Sequence, residues 1–577
     1  MKPENASLPV RVRWHLADLV IILTAPLAAW WLFRIKMFMQ IAYADPWFYT
    51  GAGQEWVQLA KHYGWAYYYV RFPVMFLNTV FCNVPQPDVG FMLLRYLLIV
   101  LSGGALYALA LSRFGRASAI ASFAFLFLNP QFISVLNWDL TPFLSVPATL
   151  AGASLWLYRG RAQFVRSFVS GALFCVAVNC HIFTITAVGC FVAGVAVSHA
   201  WCRSSWRNWL TEFGGALIGF AAMWTIGWLY YRGIFGASAN YLLFWDVNWR
   251  TLRTGSDYAI SHAVPFQRWW NTHTYVYVPY LLLLAGLLTS LRRRSWTAHD
   301  YAVVTGPVFL LTFYFVYRFG LQCFVFEEGT YFGHIWALTP LLVAVVAGSL
   351  ESELRAWRGW SAVAAAVLVP LVLTVWGNQT ARTIWPWLAQ HRWPVVLTLL
   401  CGVVAAVVAI KASRSLIRWI AFAVLVCAAQ VLSLIPAVGN RMYGSPDEEH
   451  QRAVYLAATQ YTHRWGTYAR SGEPPLLWFS SSSSDYDIYS VAFATLGNTL
   501  HNIWNVSGMP EFGEFERKRL AEQRPKVLFL LGKRAEEIAA GKESLTRSGL
   551  ALVTIENAMI GTEKFPILLE VVRLSPR

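Results

Sequence analysis

Apolar runs of about 20 residues, nearly free of charge, recur along this chain from residue 16 to residue 436. A helix of about 20 apolar residues matches the hydrocarbon thickness of a bilayer. The periodic presence of such runs therefore predicts a polytopic membrane protein. Composition agrees: 57% of the 577 residues are hydrophobic and 13% are charged, against about 25% charged in a soluble protein. The mean hydropathy is +0.45. The net charge of +16 does not imply a nucleic-acid partner, because the Arg residues sit in short loops between apolar runs, where the positive-inside rule places them.

The apolar runs fall at 16–33, 89–111, 117–136, 141–158, a pair within 167–199, 211–232, 274–291, 301–318, 334–350, 360–377, 394–411 and 416–436. The first is long enough to span and lacks a small-x-small cleavage site, so it reads as an uncleaved helix with a cytoplasmic N-terminus. The stretch 167–199 would be roughly 50 Å long as one helix, too long for one crossing and too short for two full ones. Parity decides the reading. Two passages put Arg113, Arg116, Arg159, Arg161, Arg166, Arg203, Arg207, Arg292, Arg293, Arg294, Arg355, Arg358, Lys411 and Arg414 on one side, the inside. The expected fold is mainly α: a transmembrane helical bundle of about thirteen membrane segments, two of them short, with a turn near Asn179-Cys180-His181 on the outer side.

This topology leaves outer segments 34–88, 137–140, 233–273 and 319–333, and puts the chain after about residue 437 outside. Residues 1–436 read as the transmembrane domain and 437–577 as a small α/β extramembrane domain. The tail has a capped helix after Ser445-Pro446-Asp447 and strand-like runs at Leu476–Phe479, Lys526–Leu531, Leu550–Ile555 and Ile567–Leu574. Its Ser480–Ser484 run has turn-like composition and reads as a loop. The eight Cys show no CxxC spacing, and none follows Cys427, which argues against a disulfide framework or a structural zinc site.

No phosphate loop, HExxH or GxSxG elbow occurs in the sequence. What remains is acidic and aromatic residues on one side. Asp45, in Tyr43-Ala44-Asp45-Pro46-Trp47-Phe48-Tyr49, sits at a boundary that aromatic rings favour. It reads as a general base or metal ligand, or as a turn former beside Pro46. Asp139, in the short outer turn Asn137-Trp138-Asp139-Leu140-Thr141-Pro142, reads as a helix N-cap or as a second carboxylate sharing a divalent cation with Asp45. His181 reads as a structural turn residue or as a phosphate contact facing a cavity. Glu327, Glu328 and Tyr331 precede the run that begins at His334. They are solvated dipole partners of that helix or lining of the same cavity. Arg71 and Arg268 are suited to phosphate, and are also ordinary in outer loops.

The segment YADPWFY, followed by GAGQEWVQLAKHYGWAYYYVRFPVMFL, resembles the first outer loop of the GT-C glycosyltransferases, such as protein O-mannosyltransferases and the lipid A aminoarabinose transferases. NWDLTPFLSVPATLAGASLWLYRGR resembles their second acidic turn, FVRSFVSGALFCVAVNCHIFTITAVG their next segment, and FEEGTYFGHIWALTPLLVAVVAG their later Tyr-containing loop and Pro-containing helix. The resemblance covers most of residues 10–350 in order. It implies a catalytic Asp45, with Tyr49, Arg71 and Pro73 on positions of the same pattern and Asp139 as the second carboxylate. Two departures are plain: Pro46 stands where many members carry an acidic or small residue, and Asn179-Cys180-His181 stands where many carry Lys.

The resemblance implies an inverting enzyme using a polyprenyl-phosphate-linked sugar, with a hydroxyl on a lipid, polysaccharide or protein as acceptor. It implies Mg or Mn, if any metal, at Asp45 and Asp139, and an active face and tail domain in the periplasm or an equivalent lumen; the Arg-rich loops and many Trp residues are compatible with a bacterial inner membrane. Rival readings are a secondary transporter, which would show paired ionisable groups near the midplane in corresponding halves; a glycan polymerase or ligase of another membrane fold, using the loop 233–273; and a non-catalytic scaffold.

Overall fold

The computed structural model describes residues 14–32, 71–82, 87–137, 142–160, 162–181, 183–236, 277–292, 296–317, 333–353, 476–479, 501–502, 527–532, 534–547, 549–559 and 568–576. The protein is mostly helical, with one small sheet. It divides into two compact units, one of Met1–Lys36, Arg95–Asn137 and Thr141–Tyr443, the other of Met37–Leu94, Trp138–Leu140 and Gly444–Arg577.

The first unit is a helical bundle. Its described helices are α1 (Leu16–Leu32), most of α3 (Pro87–Arg113), α4 (Arg116–Leu128), α5 (Pro130–Asn137), α6 (Pro142–Leu157), α7 (Gln163–Cys180), α8 (Thr184–Trp201), α9 (Trp206–Phe235), α10 (Tyr277–Arg292), α11 (Ala298–Phe315) and α12 (Thr339–Glu353), with a 3-10 turn at Gly333–Ala337. In the second unit, α2 (Phe72–Cys82) precedes the start of α3. Among the described residues, four stretches are long and apolar enough to cross a membrane: Val89–Arg113, Gln163–Cys180, Thr184–Trp201 and Trp206–Ile234. Helix α9 exposes Leu210, Leu217, Ile218, Ile226 and Leu229. A continuous exposed apolar face of this kind suits lipid rather than water. The expected runs at 360–377, 394–411 and 416–436 lie outside the described residues.

Two expectations are refined. The run 117–136 is not one helix: it breaks between α4 and α5 at Asn129-Pro130. Pro130 has no N–H and its ring opposes the carbonyl four residues back. Asn129 is extended, with φ −73° and ψ 112°, and its Oδ1 accepts from the Phe132 amide at 3.2 Å, which starts the new helix as an N-cap does. The stretch 167–199 is two helices, as parity required, but neither is short. Helices α7 and α8 contain 18 residues each, because they extend through polar Gln163 and Arg166 at one end and to Trp201 at the other. His181 ends α7 in an extended conformation, its amide donating to Ala177 O at 3.2 Å.

Small residues let these helices approach closely, the usual route to tight packing within lipid. A Cβ on Gly171 of α7 would lie 1.9 Å from the Ala216 carbonyl oxygen of α9. A Cβ on Gly194 of α8 would lie 2.5 Å from the Gly306 nitrogen of α11.

One end of the bundle is tied by polar contacts. Asp18 of α1 is buried and accepts from Tyr107 Oη at 2.6 Å and from Arg116 Nε at 2.9 Å. Arg113 pairs with Asp300 at 2.8 Å and also donates to the Leu157 carbonyl. Thr297 and Asp300 form a capping box that starts α11. These bonds bring the basic ends of α3 and α4 beside the ends of α1, α6 and α11, the common side on which the parity argument depends.

In the second unit the described sheet has five strands in the order β2-β1-β3-β5-β4. The strands are β1 (Leu476–Phe479), β2 (His501–Asn502), β3 (Val527–Gly532), β4 (Leu550–Met559) and β5 (Leu568–Pro576). Strand β1 runs parallel to β2 and β3, while β5 is antiparallel to β3 and β4. Helix α13 (Ala535–Arg547) buries Ile538 and Leu545 against Leu528, Leu530, Val572 and Leu574. The expected strands agree, except that β4 runs on to Met559 past a register shift between Thr554 and Glu556, and β2 was not anticipated. The helix expected after Ser445-Pro446-Asp447 and the Ser480–Ser484 loop lie outside the described residues.

Candidate functional site

At the end of the bundle away from the Asp18 and Arg113 contacts, three chain segments meet. The first is the turn between α7 and α8, where His181 is buried. The second is the 3-10 turn, whose His334 is fully buried. The third is the end of α5: a Cβ on Gly333 would meet Val135 Cγ2 at 2.3 Å, so the 3-10 turn lies directly on α5. Buried Arg95 of α3 secures the same helix end by donating from Nε to the Leu136 carbonyl at 3.0 Å.

His334 Nε2 lies 3.2 Å from His181 Nδ1, and the ring centroids are 4.8 Å apart. His334 Nδ1 lies 3.5 Å from Thr184 Oγ1, at the outer limit of a hydrogen bond. A bond between two imidazoles needs one N–H and one lone pair. In this contact one ring donates its N–H to the bare nitrogen of the other. Phe183 flanks His181 with centroids 5.6 Å apart. Such a cluster offers hydrogen bonds in an apolar setting, where they are stronger than in water.

Of the residues singled out from sequence, His181 is at this cluster. Arg71 is buried and immediately precedes α2 in the second unit. Asp45, Tyr49, Asp139, Glu327, Glu328, Tyr331 and Arg268 lie outside the described residues. Two described ends lead towards them: α5 ends at Asn137, two residues before Asp139, and the 3-10 turn starts two residues after Tyr331. Sequence reasoning passed over His334, treating it only as the start of an apolar run. A His at the mouth of a membrane segment is the signal that was present.

Among the described residues, His199, Glu212 and His299 form a second cluster with metal-ligand character, and their ligand atoms lie within 4.8 Å of one another. It occupies the other end of α8. Thr184 and His199 are separated by roughly 22 Å along that helix at 1.5 Å per residue.

The sequence matches no protein-family model and no curated protein. The structure is similar to the crystal structure of ArnT from Cupriavidus metallidurans bound to undecaprenyl phosphate, with a TM-score of 0.52 and 13% identity over 96% of this chain and 98% of that one. Weaker similarities link it to the archaeal oligosaccharyltransferase AglB from Archaeoglobus fulgidus in complex with an inhibitory peptide and a dolichol-phosphate (TM-score 0.44, 10% identity, 97% of this chain and 74% of that one). Another is to the arabinofuranosyltransferase AftD from Mycobacteria (TM-score 0.47, 12% identity, 98% of this chain and 40% of that one). All three are GT-C glycosyltransferases. The ArnT similarity, at its low identity, establishes the fold: the chain has the GT-C fold that its ordered motifs resemble.

Proposed function

We propose that this protein is an inverting membrane glycosyltransferase that moves a sugar from a polyprenyl-phosphate-linked donor to a hydroxyl acceptor at the outer face of the membrane. The observation that carries this reading is the meeting of α5, the 3-10 turn and His181 at one end of a GT-C bundle. The segments bearing Asp139 and Glu327–Tyr331 continue directly from that meeting point.

In the proposed reaction Asp45 accepts the proton of the acceptor hydroxyl. A carboxylate of ordinary pKa is ionised at neutral pH and suited to this. The hydroxyl oxygen bonds to the anomeric carbon as the bond to the phosphate oxygen breaks, and the polyprenyl phosphate leaves. His181 and Arg71 bind that phosphate, Arg71 through its planar fork of donors. Asp139 orients the donor or, with Asp45, holds a divalent cation. Tyr49, Glu327, Glu328 and Tyr331 line the cavity. The lipid tail lies between helices, in contact with membrane lipid.

The same reading assigns about thirteen membrane segments by length, a cytoplasmic N-terminus, an outer domain at 437–577, and a bacterial inner-membrane location. The acceptor is a lipid, a polysaccharide or a protein. The test is transfer by the purified chain in lipid, using a panel of labelled polyprenyl-phosphate pentoses and hexoses with each acceptor class. Transfer from at least one donor is expected. No transfer from any donor would favour a non-catalytic scaffold, the rival that Pro46 beside Asp45 supports.

A further inference from the structure

Glu212 lies in the second turn of α9 and is almost completely buried. Among the described residues its ion-pair partners are two imidazoles, His199 from the last turn of α8 and His299 from the first turn of α11. His199 Nε2 is 3.1 Å from Glu212 Oε2, and His299 Nε2 is 2.8 Å from the same oxygen. Trp156 Nε1, near the end of α6, donates to that oxygen as well, at 3.0 Å. Four helices thus send one nitrogen or oxygen each to a single point.

Hydrogen bonding alone serves this arrangement poorly. A carboxylate oxygen has two lone-pair directions, yet three nitrogens converge on Oε2. A buried carboxylate also needs a compensating positive charge, which these two imidazoles supply only when protonated. Two guanidiniums act on Glu212 from a distance, that of Arg166 and that of Arg113, the latter paired with Asp300 at 2.8 Å. A divalent cation resolves both problems. It takes a lone pair from each Nε2 and one from the carboxylate, and among the described residues it leaves the Trp156 N–H as the one donor to Glu212. Outer hydrogen bonds of that kind commonly fix a ligating carboxylate. His199 Nδ1 is buried without a partner among the described residues, so no second bond fixes the ring's proton on Nε2.

Two imidazole nitrogens and one carboxylate oxygen favour zinc over magnesium or calcium, which prefer all-oxygen sites. With bonds of about 2.0–2.1 Å, tetrahedral zinc needs its ligand atoms about 3.4 Å apart. The three atoms here lie within 4.8 Å of one another, so small ring rotations suffice. The His299 side chain is 19% exposed, which gives an ion a route in and leaves room for a fourth, exchangeable ligand. We propose that His199, Glu212 and His299 form a zinc site that clamps the ends of α8, α9 and α11, at the end of the bundle opposite the His181–His334 cluster. Cysteine spacing, the usual sequence sign of structural zinc, gives no warning of it.

The test uses the full chain in detergent, stripped with a chelator and titrated with Co²⁺. The expected result is the visible d–d absorption of tetrahedral cobalt, saturating at one ion per chain and displaced by Zn²⁺. Glu212→Gln and His299→Asn should each weaken binding at least 100-fold, and Trp156→Phe by roughly 10- to 100-fold. His299→Asn alters the most exposed ligand. If Glu212→Gln fails to fold, His299→Asn alone decides, provided its stripped form unfolds at the wild-type temperature. Zinc should raise the unfolding temperature of the wild type and not of that variant. Absence of the cobalt bands in the wild type, or unchanged bands in His299→Asn, would overturn the proposal.

Discussion

Replacing Asp18 by Asn tests how the bundle tolerates a charge inside its first described helix. Asp18 is fully buried and accepts four hydrogen bonds. Tyr107 Oη and Arg116 Nε reach Oδ1 at 2.6 and 2.9 Å, and Arg116 Nη2 and the His15 amide reach Oδ2 at 3.1 and 2.8 Å. Asn keeps one acceptor oxygen and turns an NH₂ group towards donors. Losing one partner of a buried ion pair costs about 3–5 kcal/mol. The Arg116 side chain is 31% exposed, so water screens part of the loss, and we expect Asp18→Asn to cost about 3 kcal/mol.

Arg116→Gln should cost a similar amount, because it strands a buried carboxylate. The double variant removes both charges and should cost little more than either single change. That gives a coupling of about 2–3 kcal/mol, the upper part of the range for directly bonded pairs. The assay is reversible unfolding in mixed detergent, followed by helical signal for all four proteins. Single-variant costs that add within about 0.5 kcal/mol, as they do for independent sites, would refute the bonded knot.

Three further outcomes follow from the packing and the candidate site. Gly171→Ala forces α7 away from the Ala216 carbonyl, which a Cβ would approach to 1.9 Å. It should cost about 1–3 kcal/mol in the same unfolding assay, whereas Gly189→Ala, with nothing within 4 Å, should stay within about 0.5 kcal/mol. If His181 holds the donor phosphate as proposed, His181→Ala removes a bond to a charged group worth about 1.5–3 kcal/mol. It should lower kcat/KM for the donor by about 10- to 150-fold, and unchanged kinetics would remove His181 from the phosphate site. Leu530→Ala opens a cavity under α13 and should cost about 2–5 kcal/mol, read as faster proteolysis of the tail domain with the helical bundle intact.

Much of the architecture was legible because lipid imposes simple rules. Apolar length placed α1, α3, α6 and α10 within a few residues, and counting basic loops resolved 167–199 into α7 and α8. Alternation and turn residues placed β1, β3 and β5. Other features were hidden because they depend on partners distant in sequence. The break at Pro130 was readable from Pro chemistry, but the apolar composition on both sides masked it. Sequence reasoning passed over Asp18 and Glu212, although acids in or beside apolar runs commonly mark intramembrane function. Their partners are Arg116 and Tyr107 in one case and His199, His299 and Trp156 in the other, from helices that no spacing connects. His181 was found because it interrupts an apolar stretch. His334 was passed over because its importance comes from contact with His181 across 153 residues of sequence.

The proposed chemistry rests most heavily on Asp45. The most direct measurement compares initial rates of sugar transfer by wild type and Asp45→Asn, in the same lipid and with the donor found active in the panel, while donor binding is followed separately. A positioned general base contributes about 10²- to 10⁴-fold. The account predicts a loss of that size in transfer rate, with donor affinity within a few-fold of wild type. Undiminished transfer by Asp45→Asn would contradict it.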